Sequence, residues 1–373
     1  HGPTHFVAAS GCELTTIGER ELVDCTMALG SVALGYGDPA VTDAVRRALA
    51  AGHVAGLSSV LEVSVAERLC EVIPCAERVR FLKTGAEATA AAVRIARAAT
   101  GRAKVVGAGY FGWLDWCSTG AGVPRGVRGD FTAVPFGDVD ALRAAVSAAG
   151  RDLACVVIEP VVEEMPSAGF MESARALCDG VGALLVFDEV KTGFRLAPGG
   201  WQEKGGIVPD LASFGKAMAN GFPLAAVVGR AAPMDEAFGR AGAWISSTLA
   251  SEATALAAAD AVLDRHAAED VCGRLATIGR EMREGVRAAI ATSGATDVEL
   301  VGIDPMWFLR FARADDERRF LALALDAGVL FKRGAYNYAA LPHDRLLADI
   351  ERAASQAFVA LVDARGAGDA GDA

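Results

Sequence analysis

A chain of 373 residues, 52% hydrophobic and carrying a formal net charge of −11, is long enough for two unequal domains, since single cores stop growing at roughly 250–300 residues. Its acidity excludes the basic footprint that nucleic-acid binding requires, and it has no apolar run of the ~18 residues that would span a membrane. The eight cysteines stand singly, with Cys70 and Cys75 the nearest pair, which excludes a zinc-type ligand set and fits a reducing, cytoplasmic setting.

The opening HGPTHFVAAS has neither the basic segment nor the apolar run of a signal peptide. Residues 11–36 alternate apolar and polar about Gly18-Glu19 and predict a small meander. Pro39 opens a helical pattern through Val41, Val45 and Leu49, and Glu62–Ile73 repeats it. Arg80–Leu82 reads as a short strand, followed by a long alanine-rich helix from Thr84-Gly85-Ala86-Glu87 to about Ala99. Strands are then predicted at Lys104–Gly107, Leu153–Ile158, Leu184–Phe187, Leu211–Phe214 and Ala225–Gly229, with helices at Val139–Ala149, Glu172–Val181 and Ser251–Asp264. That alternation predicts an α/β fold with a mainly parallel sheet covered on both faces. Asp270–Ser293 reads as a long connecting helix. Leu300–Ala312, Arg318–Ala327, Val329–Lys332 and Asp344–Val362 form an α+β lobe, and the tail ARGAGDAGDA reads as disordered. The expected domains are 1–45 joining the small lobe, 46–275 as the large domain and 276–373 as the small one.

The densest chemistry lies between Ala183 and Lys216. The run Leu184–Phe187 delivers Asp188 and Glu189 to a strand end, where open α/β sheets keep their ligands. Neighbouring strand residues face opposite ways, so only one of the two carboxylates can address a given ligand. Lys216 follows the second short apolar run, and only six lysines occur among the 36 basic residues. Burial there would lower its pKa and favour imine chemistry. The Gly85-Ala86 helix start, after a strand, is a ready anion site, or equally an ordinary start capped by Thr84. Two other motifs do not hold up. Gly107–Gly112 matches GxGxxG with Asp130 downstream, but Trp113–Gly120 lacks the helix that dinucleotide binding needs. Ser213–Lys216 and Lys191-Thr192-Gly193 match the SxxK and KTG of penicillin-recognising enzymes in reversed order, with no SDN between them. Tyr110 and Trp113 offer flat faces for an aromatic ring, while His53, His266 and His343 read as surface or capping groups.

Taken in order, Thr84-Gly85-Ala86-Glu87-Ala88, Gly109-Tyr110-Phe111-Gly112-Trp113, Ile158-Glu159-Pro160-Val161, Phe187-Asp188-Glu189-Val190, Pro209-Asp210-Leu211 with Gly215-Lys216, and Ser247-Thr248-Leu249 make a pattern. From Gly11 to about Leu361 the chain resembles the class III, fold type I, pyridoxal-phosphate aminotransferases, in particular their glutamate-1-semialdehyde 2,1-aminomutase-like branch. The resemblance implies a large domain with a mainly parallel seven-stranded sheet, a small α+β domain, pyridoxal 5'-phosphate as cofactor, and a homodimer with shared active sites. It implies that Lys216 forms the Schiff base and shuttles the proton, that Asp188 pairs with the pyridine nitrogen, and that a pyridoxamine phosphate form carries the amino group from a donor to an aldehyde or keto acceptor. Val190 and Tyr110 would hold the ring faces, Gly85 and Ala86 the phosphate, and Thr248 the phosphate of the neighbouring subunit, with Glu159 beside the cofactor. The same apparatus serves 1,2-amino shifts and epimerisation, and a catalytically silent relative would lack the lysine, aspartate and phosphate loop present here.

This sequence differs from the family pattern at Ala86, at Phe111 where histidine is usual, at Lys191, and at Ala250-Ser251-Glu252. Trp113, Lys191, Glu252 and Arg333 are the candidates for substrate contact. Lys191 could anchor an acidic substrate or form a salt bridge at the site rim. No metal is expected.

Overall fold

The apolar runs become a seven-stranded sheet. Its strands in chain order are Arg78–Leu82, Lys104–Ala108, Phe131–Ala133, Leu153–Ile158, Leu184–Asp188, Leu211–Phe214 and Ala225–Gly229. In space they are ordered first, seventh, sixth, fifth, fourth, second, third. All neighbours are parallel except Ala225–Gly229, which is antiparallel on both sides. This computed structural model describes residues 4–369. The chain's first three residues and the end of its tail therefore lie outside the described residues.

Leu153–Ile158, Leu211–Phe214 and Ala225–Gly229 are buried along their whole length, as expected of strands covered on both faces. One cover is the Gly85–Thr100 helix, whose Ala88, Ala91, Ala92, Val93, Ile95 and Ala96 join Val105, Val157, Val186 and Val227 in one core. Small alanine side chains let the helix approach the sheet closely, at the density that interiors require. Thr84 starts this helix by accepting from the Glu87 amide while Glu87 reaches back to the Thr84 amide, and Gly101 ends it in the left-handed conformation.

The chain divides into two compact units, one of Asp43–Ala267 and one of the residues before and after it. The first holds the seven-stranded sheet. The second has the antiparallel strands Phe6–Ser10, Glu13–Thr16 and Glu21–Asp24, the last joined in parallel by Val329–Leu330. It also has the antiparallel sheet Val298–Ile303, Met306–Phe311 and Asn337–Tyr338, with the helices Val271–Ser293, Ala314–Asp326 and Leu347–Asp369.

Four features differ from the sequence reading. Phe131–Ala133 is an edge strand too short for its alternation to register, and the carbonyl of Asp130 just before it accepts the Val105 amide at 2.7 Å. Ser167 caps the next helix, which begins at Ala168 rather than Glu172. The final helix continues through Asp369, so the expected disordered tail is helical that far. His343 is fully buried, taking the Ala340 amide on Nδ1 and facing the Asp24 carbonyl through Nε2.

Candidate functional site

Four parallel strands end side by side, and residues at or just past their ends supply the site. Asp188 is the last residue of its strand and is buried. Its carboxylate accepts the Thr89 hydroxyl at 2.9 Å and the Val190 amide at 3.1 Å. Thr89 lies one turn into the Gly85–Thr100 helix and also meets the Ser213 hydroxyl at 2.8 Å, while Ser213 pairs with Asp188 in sheet register. Burial first, and the nearby Glu159 charge second, push Asp188 up from its ordinary 3.8 to about 6. The bonds from Thr89 and Val190 and the charge of Lys216 act against that rise.

Glu189 turns to the other side, as the strand period requires. It is fully buried and accepts from the Thr192 hydroxyl, the Trp201 amide at 2.8 Å and the Gln202 amide at 3.0 Å. Burial raises it to about 7 despite those bonds. Its role is to hold the Gly199–Gln202 turn.

Lys216 follows the extended Gly215 and opens a short 3-10 turn that ends at Asn220. Its φ of 48° is in the left-handed region, which costs a non-glycine residue on the order of 1–3 kcal/mol and persists only where the surroundings enforce it. The side chain is half-buried. Burial lowers its pKa, Asp188 and Glu159 act to raise it, and Lys191 and Arg195 act to lower it.

Glu159 and Lys191 complete the cluster. Lys191 Nζ lies 2.7 Å from Glu159 Oε1, both side chains are nearly enclosed, and Glu159 Oε2 accepts the Tyr110 amide at 3.0 Å. A Cβ on Gly109 would come within 2.4 Å of Glu159 Cβ, and Gly109 has φ 129°. Only glycine lets the chain pass there. A Cβ on Gly85 would likewise come within 2.6 Å of Val190 Cγ1, and one on Gly112 within 2.6 Å of Ala86 Cβ. The helix start, the Val190 turn and the Tyr110 loop are thus pressed together. As the first two residues of their helix, Gly85 and Ala86 have amides with no intrahelical acceptor, at the positive end of the dipole.

The other predicted residues are placed as follows. Tyr110 and Trp113 have exposed rings, whereas Phe111 is buried against Trp116 and Phe131. Its unusual identity therefore fills core. Thr248 and Glu252 line a cavity of about 530 Å³ together with the Gly52–Leu61 segment. Glu252 caps the Ala253–Ala268 helix by accepting the Thr254 and Ala255 amides, and pairs with Lys83 at 2.9 Å and His53 at 3.1 Å. Although burial opposes it, the bonds from Thr254 and Lys83 hold its pKa below the ordinary value. Arg333, in the other unit, faces Glu317 at 3.6 Å. Sequence reasoning missed Thr89 and Ser213. Thr89 left a faint signal, a hydroxyl one turn after Gly85 on an alanine stripe. Ser213 was visible only as the serine of the discarded SxxK match, because only strand register brings it to Asp188.

A buried carboxylate suited to a ring cation, a lysine with a lowered pKa, and a glycine helix start suited to a phosphate are what pyridoxal phosphate needs, so the residues fit that cofactor. Among the described residues no group of histidine, cysteine or acidic side chains could hold a metal ion.

Residues 2–339 match the family model for class-III aminotransferases. The chain is 33% identical over 381 aligned positions, covering 94% of it and 88% of the relative, to glutamate-1-semialdehyde 2,1-aminomutase of Symbiobacterium thermophilum. It is 31% identical over 319 positions, 83% of this chain and 76% of the relative, to 3-aminobutyryl-CoA aminotransferase of Cloacimonas acidaminovorans. Among solved structures, the FumI protein of Sphingopyxis sp. MTA144, in its PLP internal aldimine form, superposes with a TM-score of 0.92 at 27% identity, covering 96% of this chain and 89% of that one.

Proposed function

The chain belongs to the class-III aminotransferases, enzymes that use pyridoxal phosphate, and from that premise we propose that Lys216 and Asp188 hold opposite ends of the cofactor ring. When bound, the cofactor supplies an aldehyde that exchanges amines and a ring that takes up electrons from the bond being broken. Lys216 would provide the amine that holds the cofactor, and its lowered pKa leaves more of it unprotonated and nucleophilic. The same side-chain nitrogen, once freed, would move the proton at the substrate carbon. Asp188 would take the ring nitrogen and keep it protonated. Val190 and Tyr110 would bracket the ring, Gly85 and Ala86 would receive the phosphate through their amides, and Glu159 would lie beside the cofactor. Amino groups would thereby pass from a small-molecule donor to a carbonyl acceptor.

The observation that carries this reading is that the buried Asp188 carboxylate, last on its strand, and Lys216, two residues past the neighbouring parallel strand, stand at the same end of the sheet. Borohydride reduction followed by peptide mapping tests it. We expect one pyridoxyl adduct on Lys216, absent in Lys216→Ala, with amino transfer lowered ~10²–10⁴-fold or more. An adduct on another lysine, or transfer that survives the substitution, would refute it.

Asp43–Ala267 is taken as the cofactor domain, and the remaining unit as the small domain. The working unit is read as a homodimer with shared sites, Thr248 reaching the neighbour's phosphate. In support, Leu49, Val54, Leu57, Val60 and Val63 form an exposed apolar group along the Gly52–Leu61 segment and its flanking helices. A cytoplasmic setting accords with eight free thiols, and no described helix is long and apolar enough to cross a membrane. The aminomutase relative favours one alternative, an intramolecular amino shift. Turnover of a single substrate with no carbonyl co-substrate would select it.

A further inference from the structure

Lys191 stands at the centre of the cluster rather than at its rim. Its ammonium is nearly enclosed and lies 2.7 Å from Glu159. The other Glu159 oxygen takes the Tyr110 amide at 3.0 Å, and the Glu159 amide donates to the Ala108 carbonyl at 3.0 Å. Glu159 is thereby held at three points and cannot turn away from Asp188, whose strand lies beside its own.

Two carboxylates thus share one buried site, and like charges so placed cannot both ionise cheaply. We propose that Lys191 is a positioning residue that neutralises Glu159 so that Asp188 can remain a carboxylate for the cofactor's ring nitrogen, and that it is not an anchor for a substrate acid group. The inference rests on the cofactor reading above.

Asp188 feels Glu159 and Lys216, and Lys216 feels Asp188, Lys191, Glu159 and Arg195. Cys117, its thiol raised to about 11 by burial and then by Asp188, stays neutral. Removing the Lys191 charge leaves Glu159 without its ion-pair partner beside Asp188, so a proton enters the pair at higher pH. Removing the Glu159 charge relieves Asp188 and has the opposite effect.

The test is cofactor affinity, measured by equilibrium dialysis and fluorescence quenching with pyridoxal phosphate, from acidic to alkaline pH. Lys191→Met is expected to move the acidic limb of the binding curve up by about one pH unit, which weakens binding ~10-fold on the acidic side of the limb and only ~2-fold near neutrality. Glu159→Gln should move that limb down, which keeps the test decisive if Lys191→Met folds poorly. The double variant should recover most of the loss seen in Lys191→Met. A role confined to packing would lower melting temperatures without moving the limb.

The proposal fails if Lys191→Met binds the cofactor with unchanged affinity and limb, or if the double variant is no better than Lys191→Met. It also fails if the only change is a raised KM for acidic substrates. Wild-type protein that takes up no pyridoxal phosphate would instead overturn the cofactor reading, and this inference with it.

Discussion

Replacing Asp188 by asparagine should stabilise the cofactor-free protein while weakening its hold on pyridoxal phosphate. The hydrogen bonds survive the change. The amide oxygen can take the Val190 amide, the amide nitrogen can donate to Thr89 Oγ1, and Thr89 can turn its own proton to the Gly85 carbonyl, already 3.1 Å away. What disappears is the cost of the buried charge. A pKa raised from 3.8 to about 6, at ~1.4 kcal/mol per pH unit, makes the ionised form cost about 3 kcal/mol. Because the folded state holds this proton more tightly than the unfolded chain does, wild-type stability falls as pH rises from about 4 to about 6, and the loss persists above that range. Asparagine has no such term. Urea denaturation of both cofactor-free proteins should show the variant more stable by about 3 kcal/mol at pH 8, with the gap closing toward pH 4. Cofactor affinity should move the other way, since the ring nitrogen loses its counterion. Equal stability at pH 8, or a gap independent of pH, would refute the argument that Asp188 is held ionised at a cost.

Three further outcomes follow from the geometry. Thr89→Val keeps the shape and removes the hydroxyl that lowers the Asp188 pKa, so the acidic limb of cofactor binding should shift upward, at a cost of ~1–3 kcal/mol in denaturant stability. Gly85→Ala drives a methyl against Val190 and should destabilise the protein by ~1–3 kcal/mol, with Val190→Ala restoring most of the loss in calorimetry. Glu252→Ala removes a helix cap and the carboxylate paired with Lys83, and should cost on the order of 3 kcal/mol with an unchanged substrate KM. A raised KM at unchanged melting temperature would return Glu252 to the substrate.

The alternation of apolar runs and amphipathic stretches made the sheet readable, because parallel strands buried on both faces are continuous in sequence. The edge strand Phe131–Ala133 escaped because it is three residues long and only partly buried. The Thr84 helix start was readable because capping is local chemistry between residues three apart. His343 was misread because a lone histidine carries no periodic signal, and its burial depends on a contact 319 positions away.

The sequence by itself determined which residues arrive at the strand ends, since strand period and turn chemistry are set by neighbours along the chain. It placed Asp188, Glu159 and Lys216 at strand ends and made Glu189 face away from Asp188. It left Lys191 open between a substrate anchor and a salt bridge. Only the tertiary structure decided that Lys191 faces Glu159 across two adjacent strands and that Thr89 and Ser213 meet at Asp188. Those relations depend on strand order and register, and no spacing within the chain records either one.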